Sequence, residues 1–239
     1  MDINGSIALV TGANRGMGRL FVQQLLERGA AKVYATSRRP AADDIPRAHA
    51  LTLDVTDPGS VAAAADQARD VTLVVNNAGI ATGAGLVDGD LGDLRREMET
   101  NYWGALAVVR AFLPSLASAG GGAVLNVCSN LSWRAYPGAT GYAVSKAAAW
   151  MLTNGLRLDL AGQHTQVTGL YVAAVDTDMM AGWDGPKSDP AAVVRTALDG
   201  LEDGALEVVA DEVTAASKAA LAADPSVLYA DDLSLASRP

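Results

Sequence analysis

Short apolar runs recur along the chain, each closed by glycine or by polar residues. Their apolar residues are consecutive, which is typical of strands buried on both faces of a sheet. We therefore predict strands at residues 7–12, 32–37, 49–55, 71–79, 121–129, 166–175 and 206–209.

The segments between these runs carry apolar residues at helical spacing. In the first segment Leu20, Phe21 and Leu25 show this spacing, and Gly29 is a residue typical of a helix C-terminus. The tail after Pro225 has no strong pattern. We predict helices at residues 15–29, 58–68, 91–116, 142–160, 190–201 and 211–222.

Alternation of strands and helices indicates right-handed crossovers and a parallel sheet covered on both faces. The predicted fold is a doubly wound α/β sheet in three layers, α/β/α, forming a single domain over residues 1–239. Such sheets bind ligands at the carboxyl ends of their strands. Residues 176–190, rich in Gly, Pro and Asp, are predicted to form a mobile substrate loop.

Composition narrows the function classes. The 239 residues carry a net charge of −9, which argues against nucleic-acid or anionic-membrane partners. The sequence shows neither a secretory signal nor an apolar run long enough for a bilayer. One cysteine and two histidines make an internal disulfide impossible and a metal site improbable. We expect a cytoplasmic protein without a metal.

A glycine-rich turn, TGANRGMG, follows the first predicted strand and opens the first predicted helix at Thr11–Gly18. Glycines allow a pyrophosphate to approach the backbone, and amides at a helix N-terminus meet its negative charge. The alternative is a tight turn without a ligand. The position between strand and helix favours phosphate binding.

Tyr142 and Lys146 lie four residues apart, in GYAVSKA. On a helix they share one face, so a lysine ammonium would favour the tyrosine phenolate. Alone the spacing is a weak signal, because a solvated lysine beside a half-buried tyrosine gives the same pattern.

The glycine turn, T-G-x-x-x-G-x-G, resembles that of the short-chain dehydrogenase/reductase family, and the resemblance extends from Ile7 to about Val209. It includes the sequence NNAG at residues 76–79 and Ser129, thirteen residues before Tyr142. The catalytic set that the resemblance implies is Asn101, Ser129, Tyr142 and Lys146.

The resemblance implies a Rossmann fold and hydride transfer between a nicotinamide cofactor and a small hydrophobic ketone, aldehyde or secondary alcohol. Tyr142 would be the general acid or base, and Ser129 would bind the substrate oxygen. Lys146 would hold the nicotinamide ribose, and Asn101 would order a water that links Lys146 to solvent. Ser129 as a loop cap and Asn101 as an ordinary helix residue are the alternatives. A dinucleotide-sensing regulator without turnover and an epimerase or dehydratase are the competing functions.

The end of the second strand favours NADP(H) over NAD(H). An NAD enzyme places a carboxylate there, whereas this chain has Ser37, Arg38 and Arg39, with Arg15 in the glycine turn. These side chains suit a 2′-phosphate, although paired arginines are also common on solvated surfaces. The predicted cofactor contacts are Gly12, Asn14, Arg15, Gly16, Met17, Gly18, Ser37, Arg38, Asp54, Val55, Asn77, Ala78, Gly79, Tyr142, Lys146, Val175 and Thr177.

One segment departs from the family pattern. Pro-Gly-x-Val-x-Thr is replaced by residues 172–177, VAAVDT, which leaves the local backbone path open. Val175 and Thr177 still occupy the Val and Thr positions of the family pattern, so the resemblance implies that Thr177 holds the nicotinamide carboxamide. Thr177 as a cap of a short helix is the alternative.

Five apolar or aromatic side chains are candidates for the substrate pocket, although such residues are also common in protein cores. They are Leu131, Trp133, Tyr136, Met179 and Trp183. Apolar residues on several faces of the helices at 91–116 and 142–160 also predict a homo-oligomer, a tetramer rather than a dimer.

Overall fold

The computed structural model describes residues 1–39 and 45–236. They contain a seven-stranded sheet with the order β3-β2-β1-β4-β5-β6-β7, in which every neighbouring pair is parallel. This confirms the predicted doubly wound sheet. The strands are β1 (Ile7–Thr11), β2 (Lys32–Ser37), β3 (Ala48–Thr52), β4 (Leu73–Asn76), β5 (Ala123–Val127), β6 (Gln166–Tyr171) and β7 (Glu207–Val209).

Both faces of the sheet are buried, as the consecutive apolar residues of the strands require. In β1, Ala8 and Val10 pack into the core on one face, while Leu9 packs into the core on the other. All three side chains are fully buried. The sheet is therefore the middle of three layers in a single domain.

The described residues form nine α-helices. They are α1 (Gly16–Glu27), α2 (Pro58–Gln67), α3 (Leu91–Met98), α4 (Ala105–Ser118), α5 (Thr140–Asp159), α6 (Pro190–Glu202), α7 (Glu212–Ala219), α8 (Pro225–Leu228) and α9 (Ala230–Ala236). Helices α1 and α6 pack on one face of the sheet, and α2, α4 and α5 pack on the other. Aspartates begin several of them: Asp57, Asp90, Asp189 and Asp211 each accept a hydrogen bond from a backbone amide in the first turn. No helix in the described ranges has both the length and the apolar character needed to cross a bilayer.

One prediction of helix extent is wrong, and one segment for which no element was predicted is helical. The segment at 91–116 is not one α-helix, because a π-helical turn at Glu99–Gly104 separates α3 from α4. The tail after Pro225 is helical, with α8 begun by Asp224 as its N-cap. The strand predicted at residues 166–175 also ends early, since β6 stops at Tyr171.

Candidate active site

The glycine turn between β1 and α1 has a backbone that other residues would not adopt readily. Gly12 and Gly16 have φ of 66° and 53°, in the left-handed region that favours glycine. A Cβ on Gly18 would lie 2.2 Å from the Gly12 carbonyl oxygen and 2.6 Å from Asn77 Nδ2. The turn therefore exposes backbone, without side chains, at the start of a helix.

Residues after β4 hold this turn in place. Thr11 Oγ1 accepts hydrogen bonds from the amides of Asn77 and Ala78, both at 3.0 Å. Asn77 Nδ2 donates in return to the carbonyl oxygens of Thr11 and Gly12 at 2.9 and 3.3 Å. The NNAG sequence thus connects the carboxyl ends of the two central strands.

A cleft with a volume of about 1000 Å³ opens at these strand ends. Most of the predicted cofactor contacts line it; Tyr142, Lys146 and Val175 are the exceptions. The predicted residues in the lining are Gly12, Asn14, Arg15, Gly16, Met17, Gly18, Ser37, Arg38, Asp54, Val55, Asn77, Ala78, Gly79 and Thr177.

Other residues of the lining were not predicted as contacts. Arg39 and Asp178 directly follow predicted positions, so sequence proximity was a usable signal. Arg96, Glu99 and Thr100 come from α3 and the π-helical turn, and only their closeness to Asn101 in sequence pointed to them. Leu53, Thr56 and Ile80 complete the set.

Two arginines at the rim of the cleft lie near carboxylates. Arg15 Nη1 donates to Asp178 Oδ2 at 2.8 Å, and both side chains are exposed. Burial alone would raise the pKa of Asp54, but hydrogen bonds from the Thr56 amide and hydroxyl, with the charge of Arg38, hold that pKa below its ordinary value. An anion at this rim would therefore meet Arg38 beside an ionised Asp54.

Lys146 is buried, with only 5% of its surface exposed, and the solvated alternative for it is wrong. Its Nζ donates to the Val127 carbonyl oxygen at 2.8 Å and lies 5.6 Å from the centre of the Tyr142 ring. A Cβ on Gly79 would lie 3.7 Å from this Nζ and 3.1 Å from Asn101 Oδ1. The absent side chain of Gly79 thus leaves space between Asn101 and Lys146.

Asn101 lies in the π-helical turn, a distortion often found at functional sites. Its amide group accepts from the Ile80 amide and donates to the Ile80 carbonyl oxygen, both at 2.9 Å. It also donates to Ser145 Oγ at 2.8 Å, and that hydroxyl donates to the Tyr142 carbonyl oxygen at 2.7 Å. Asn101 is therefore a buried connection to the helix of Tyr142 rather than an ordinary helix residue.

Ser129 is the second residue after β5 and does cap a short helical turn. Its Oγ accepts from the Leu131 amide at 3.1 Å, and the turn covers Asn130–Ser132. The preceding Cys128 is buried, and this burial raises the pKa of its thiol. Capping holds the Ser129 hydroxyl at the carboxyl end of the sheet.

The segment that departs from the family pattern is held by other contacts. The Ala173 amide donates to Asp211 Oδ2 at 2.8 Å, and the Ser188 amide donates to the Ala174 carbonyl oxygen at 2.8 Å. Thr177 precedes a short helical turn but forms no capping hydrogen bond, so the cap alternative is wrong. Its hydroxyl donates instead to the Val175 carbonyl oxygen at 3.3 Å.

The candidate substrate residues differ in exposure. The Trp133 ring is buried, because it stacks on Tyr171 with ring centres 4.4 Å apart at the end of β6. Met179 lines the cleft and is half exposed, as is Trp183. Leu131 and Tyr136 are partly buried between Ser129 and α5.

Comparisons with known proteins agree with this geometry. The chain is 40% identical to a short chain dehydrogenase from Burkholderia cenocepacia crystallised with NADP, with a TM-score of 0.91 over 97% of this chain and 99% of that one. It is 33% identical to 1-deoxy-11-beta-hydroxypentalenate dehydrogenase from Streptomyces exfoliatus, over 78% of this chain and 74% of that protein. It is 32% identical to sulfoacetaldehyde reductase 2 from Chromohalobacter salexigens, over 77% and 79%.

A family model for short chain dehydrogenases matches residues 6–187. This match covers the glycine turn, the NNAG sequence, and the helix of Tyr142 and Lys146. The chain belongs to the short chain dehydrogenase family of pyridine-nucleotide-dependent oxidoreductases.

Proposed function

We propose that the protein is an NADP(H)-dependent carbonyl reductase or alcohol dehydrogenase that acts on a small hydrophobic ketone, aldehyde or secondary alcohol. The observation that carries the proposal is the buried Lys146, whose ammonium group lies beside Tyr142 and has a backbone carbonyl as its hydrogen-bond partner. A buried charge of this kind is costly, and it is found most often where a site uses it.

The residues of the cleft fit a dinucleotide. The turn from Gly12 to Gly18 offers a cradle that a Cβ would fill, and it opens the N-terminus of α1 toward a pyrophosphate. Ser37, Arg38 and Arg39 line the same cleft and would hold a 2′-phosphate. When bound, the nicotinamide ring supplies the hydride for reduction or accepts it in oxidation.

Residues of the chain would transfer the proton and stabilise the negative charge that develops on the substrate oxygen. Tyr142 donates a proton to the carbonyl oxygen in reduction, and Lys146 favours the phenolate that remains. Ser129 donates a hydrogen bond to the substrate oxygen and stabilises its charge in the transition state. The Tyr142 phenolate must then regain its proton from solvent. A water beside Asn101 would link Lys146 to solvent, so that Lys146 can pass a proton to the phenolate and take one from this water.

The proposed substrate class rests on exposed apolar side chains, of which Met179 lines the cleft. Met179 and Trp183 are half exposed in the segment after β6, and Leu86 and Val87 are exposed in the segment after β4. Exposed apolar surface beside a polar catalytic set is typical of sites for apolar ligands.

Substitution of Tyr142 by phenylalanine tests the proposal. Tyr142→Phe keeps the ring and its packing but removes the transferable proton, so we expect kcat to fall by about 10²-fold or more while cofactor binding survives. The measurement is NADPH oxidation against a panel of ketones and aldehydes, with cofactor affinity measured by fluorescence. Turnover of the variant within a few-fold of wild type would contradict the mechanism. A wild-type protein that binds NADPH without turnover would instead be a dinucleotide sensor.

A further inference from the structure

The backbone after β4 forms hydrogen bonds at every second residue, first with one helical segment and then with another. We call residues 80–86 the linking segment. Its members Ile80 and Thr82 bond to Asn101 and Glu97, which lie one helical turn apart. The next two alternate members bond to the first turn of α5: the Ala84 carbonyl oxygen accepts from the Gly141 amide, and the Leu86 amide donates to Thr140 Oγ1. The linking segment thus joins the helix of Asn101 to the helix of Tyr142.

Glu97 is the unexpected member of this arrangement. It is fully buried, and its Oε1 accepts from the Thr82 amide at 2.6 Å and the Thr82 hydroxyl at 2.8 Å. Its Oε2 has no hydrogen-bond partner among the described residues. A buried carboxylate oxygen without a partner is costly, so stability alone is a poor reason for glutamate at this position.

The unpartnered oxygen faces the start of the catalytic helix. A Cβ on Gly141, the residue before Tyr142, would lie 2.9 Å from Glu97 Oε2 and 2.8 Å from the Ala84 carbonyl oxygen. α3, the linking segment and α5 therefore meet at Gly141 with no room for a side chain. The free amides of a helix N-terminus favour negative charge, which suits a carboxylate here.

We propose that Glu97 is a positioning residue for the reaction. Through Thr82 it holds the linking segment against the first turn of α5, and this contact sets the position of Tyr142 relative to Lys146 and the substrate. This inference rests on the proposed function, because it assigns Glu97 to the placement of the proposed acid. A displacement of about 1 Å at a reacting group can cost about 10²-fold in rate.

Glu97→Ala and Glu97→Gln separate this role from a merely structural one. Glutamine retains an oxygen that accepts both bonds from Thr82, whereas alanine retains none. We expect Glu97→Ala to lower kcat by at least 10-fold with NADPH affinity within two-fold of wild type, and Glu97→Gln to stay within about three-fold of wild-type kcat. Thr82→Val, which removes one of the two donors, should give a smaller loss. The exposed Glu212→Ala is the matched control.

Hydrogen exchange provides a readout that does not need turnover. In Glu97→Ala the amides of residues 80–86 and of the first turn of α5 should exchange at least 10-fold faster, while those of α1 stay unchanged. If wild type lacks carbonyl reductase activity, the proposed function fails, and the exchange rates still decide whether Glu97 holds the segment. Unchanged exchange, a kcat within two-fold of wild type for Glu97→Ala, an equal loss for Glu97→Gln, or a parallel loss of NADPH affinity would each overturn the proposal.

Discussion

We propose two roles for Lys146, and its surroundings fix the position of the ammonium group that would serve both. An ammonium group has three donors, and the Val127 carbonyl oxygen takes one of them. This bond fixes Nζ under the Tyr142 ring and beside the open space at Gly79. In the proposed mechanism the same cation favours the Tyr142 phenolate and holds the nicotinamide ribose.

At the rim of the cleft, a single arginine is expected to set cofactor preference. A charge-assisted hydrogen bond from Arg38 to a 2′-phosphate would contribute about 1.5–3 kcal/mol. Screening by salt and the negative charge of the neighbouring Asp54 both reduce this contribution. We expect Arg38→Ala to lower kcat/KM with NADPH by about 10-fold or more and to leave kcat/KM with NADH nearly unchanged. Arg15→Ala should have the smaller effect, because Arg15 is paired with Asp178.

The matched control is Arg69→Ala, an exposed arginine on the loop after α2 that pairs with Asp66. Added salt should reduce the preference of the wild type for NADPH. Equal use of both cofactors by the wild type, or an equal loss with both in Arg38→Ala, would show that these arginines only face solvent.

Individual side chains differed in how far their sequence context predicted them. Lys146 and Asn101 were identified because they match a family spacing. Glu97 was not, since a glutamate in a charged helical stretch is ordinarily solvated and its burial depends on three elements that meet in space. Trp133 was expected at the pocket, but the flat face of Tyr171 on β6 offered it a packed position.

At the scale of elements, β1, the glycine turn and α1 form one structural unit. Hydrogen bonds from the residues after β4 hold this unit in place. Gly18 marks the closest approach, because the backbone of the turn passes directly over the first turn of the helix. This unit was predictable in full from its glycine spacing and its position after an apolar run.

Gly18→Ala is expected to damage both stability and cofactor binding. Its Cβ would meet the Gly12 carbonyl oxygen at 2.2 Å, and overpacking of this kind costs about 1–3 kcal/mol in the free energy of unfolding. Displacement of the turn should weaken NADPH binding by at least 10-fold. Denaturant unfolding and fluorescence titration measure the two effects.

Gly155→Ala in α5 is the control for this substitution. A Cβ there would have no neighbour within 4 Å, so the free energy of unfolding should rise by about 0.5–1 kcal/mol through higher helix propensity. A Gly18→Ala protein as stable as wild type, with normal NADPH affinity, would show that the turn relaxes easily.

The predicted boundaries of elements differ from the observed ones where tertiary contacts determine them. The residues ETNYWG contain no proline, and Gly104 alone does not predict the π-helical turn that directs Asn101 toward Ile80 and Ser145. The tail after Pro225 lacks a periodic pattern, but it packs on the loop after Ser129. There Tyr229 accepts a hydrogen bond from the Ala135 amide, and Arg134 pairs with Asp232.

At the scale of the whole molecule, α5 presents an apolar stripe to solvent. Val144, Met151 and Leu158 repeat at intervals of seven residues and are 47%, 59% and 79% exposed. Trp103, in the π-helical turn before α4, is also half exposed. A continuous stripe of this kind is typical of an interface between subunits.

We expect a homo-oligomer, a tetramer rather than a dimer, in which α5 pairs with its own copy about a two-fold axis near Met151. Leu158→Glu should reduce the mass measured by light scattering at micromolar concentration, because a charge would be buried in the interface. Val87→Glu, a substitution at a fully exposed site off the stripe, should leave the mass unchanged. A monomeric wild type would refute the prediction.

The burial of Cys128 has a practical consequence. It is the only cysteine of the chain, it is 3% exposed, and its raised pKa keeps the thiol protonated at neutral pH. We therefore expect the native protein to react only very slowly with thiol reagents, so no cysteine needs to be replaced. A cysteine introduced at Val87, next to the linking segment, would be the one rapidly labelled site, so a fluorophore there would report movement of this segment during turnover in an otherwise natural sequence.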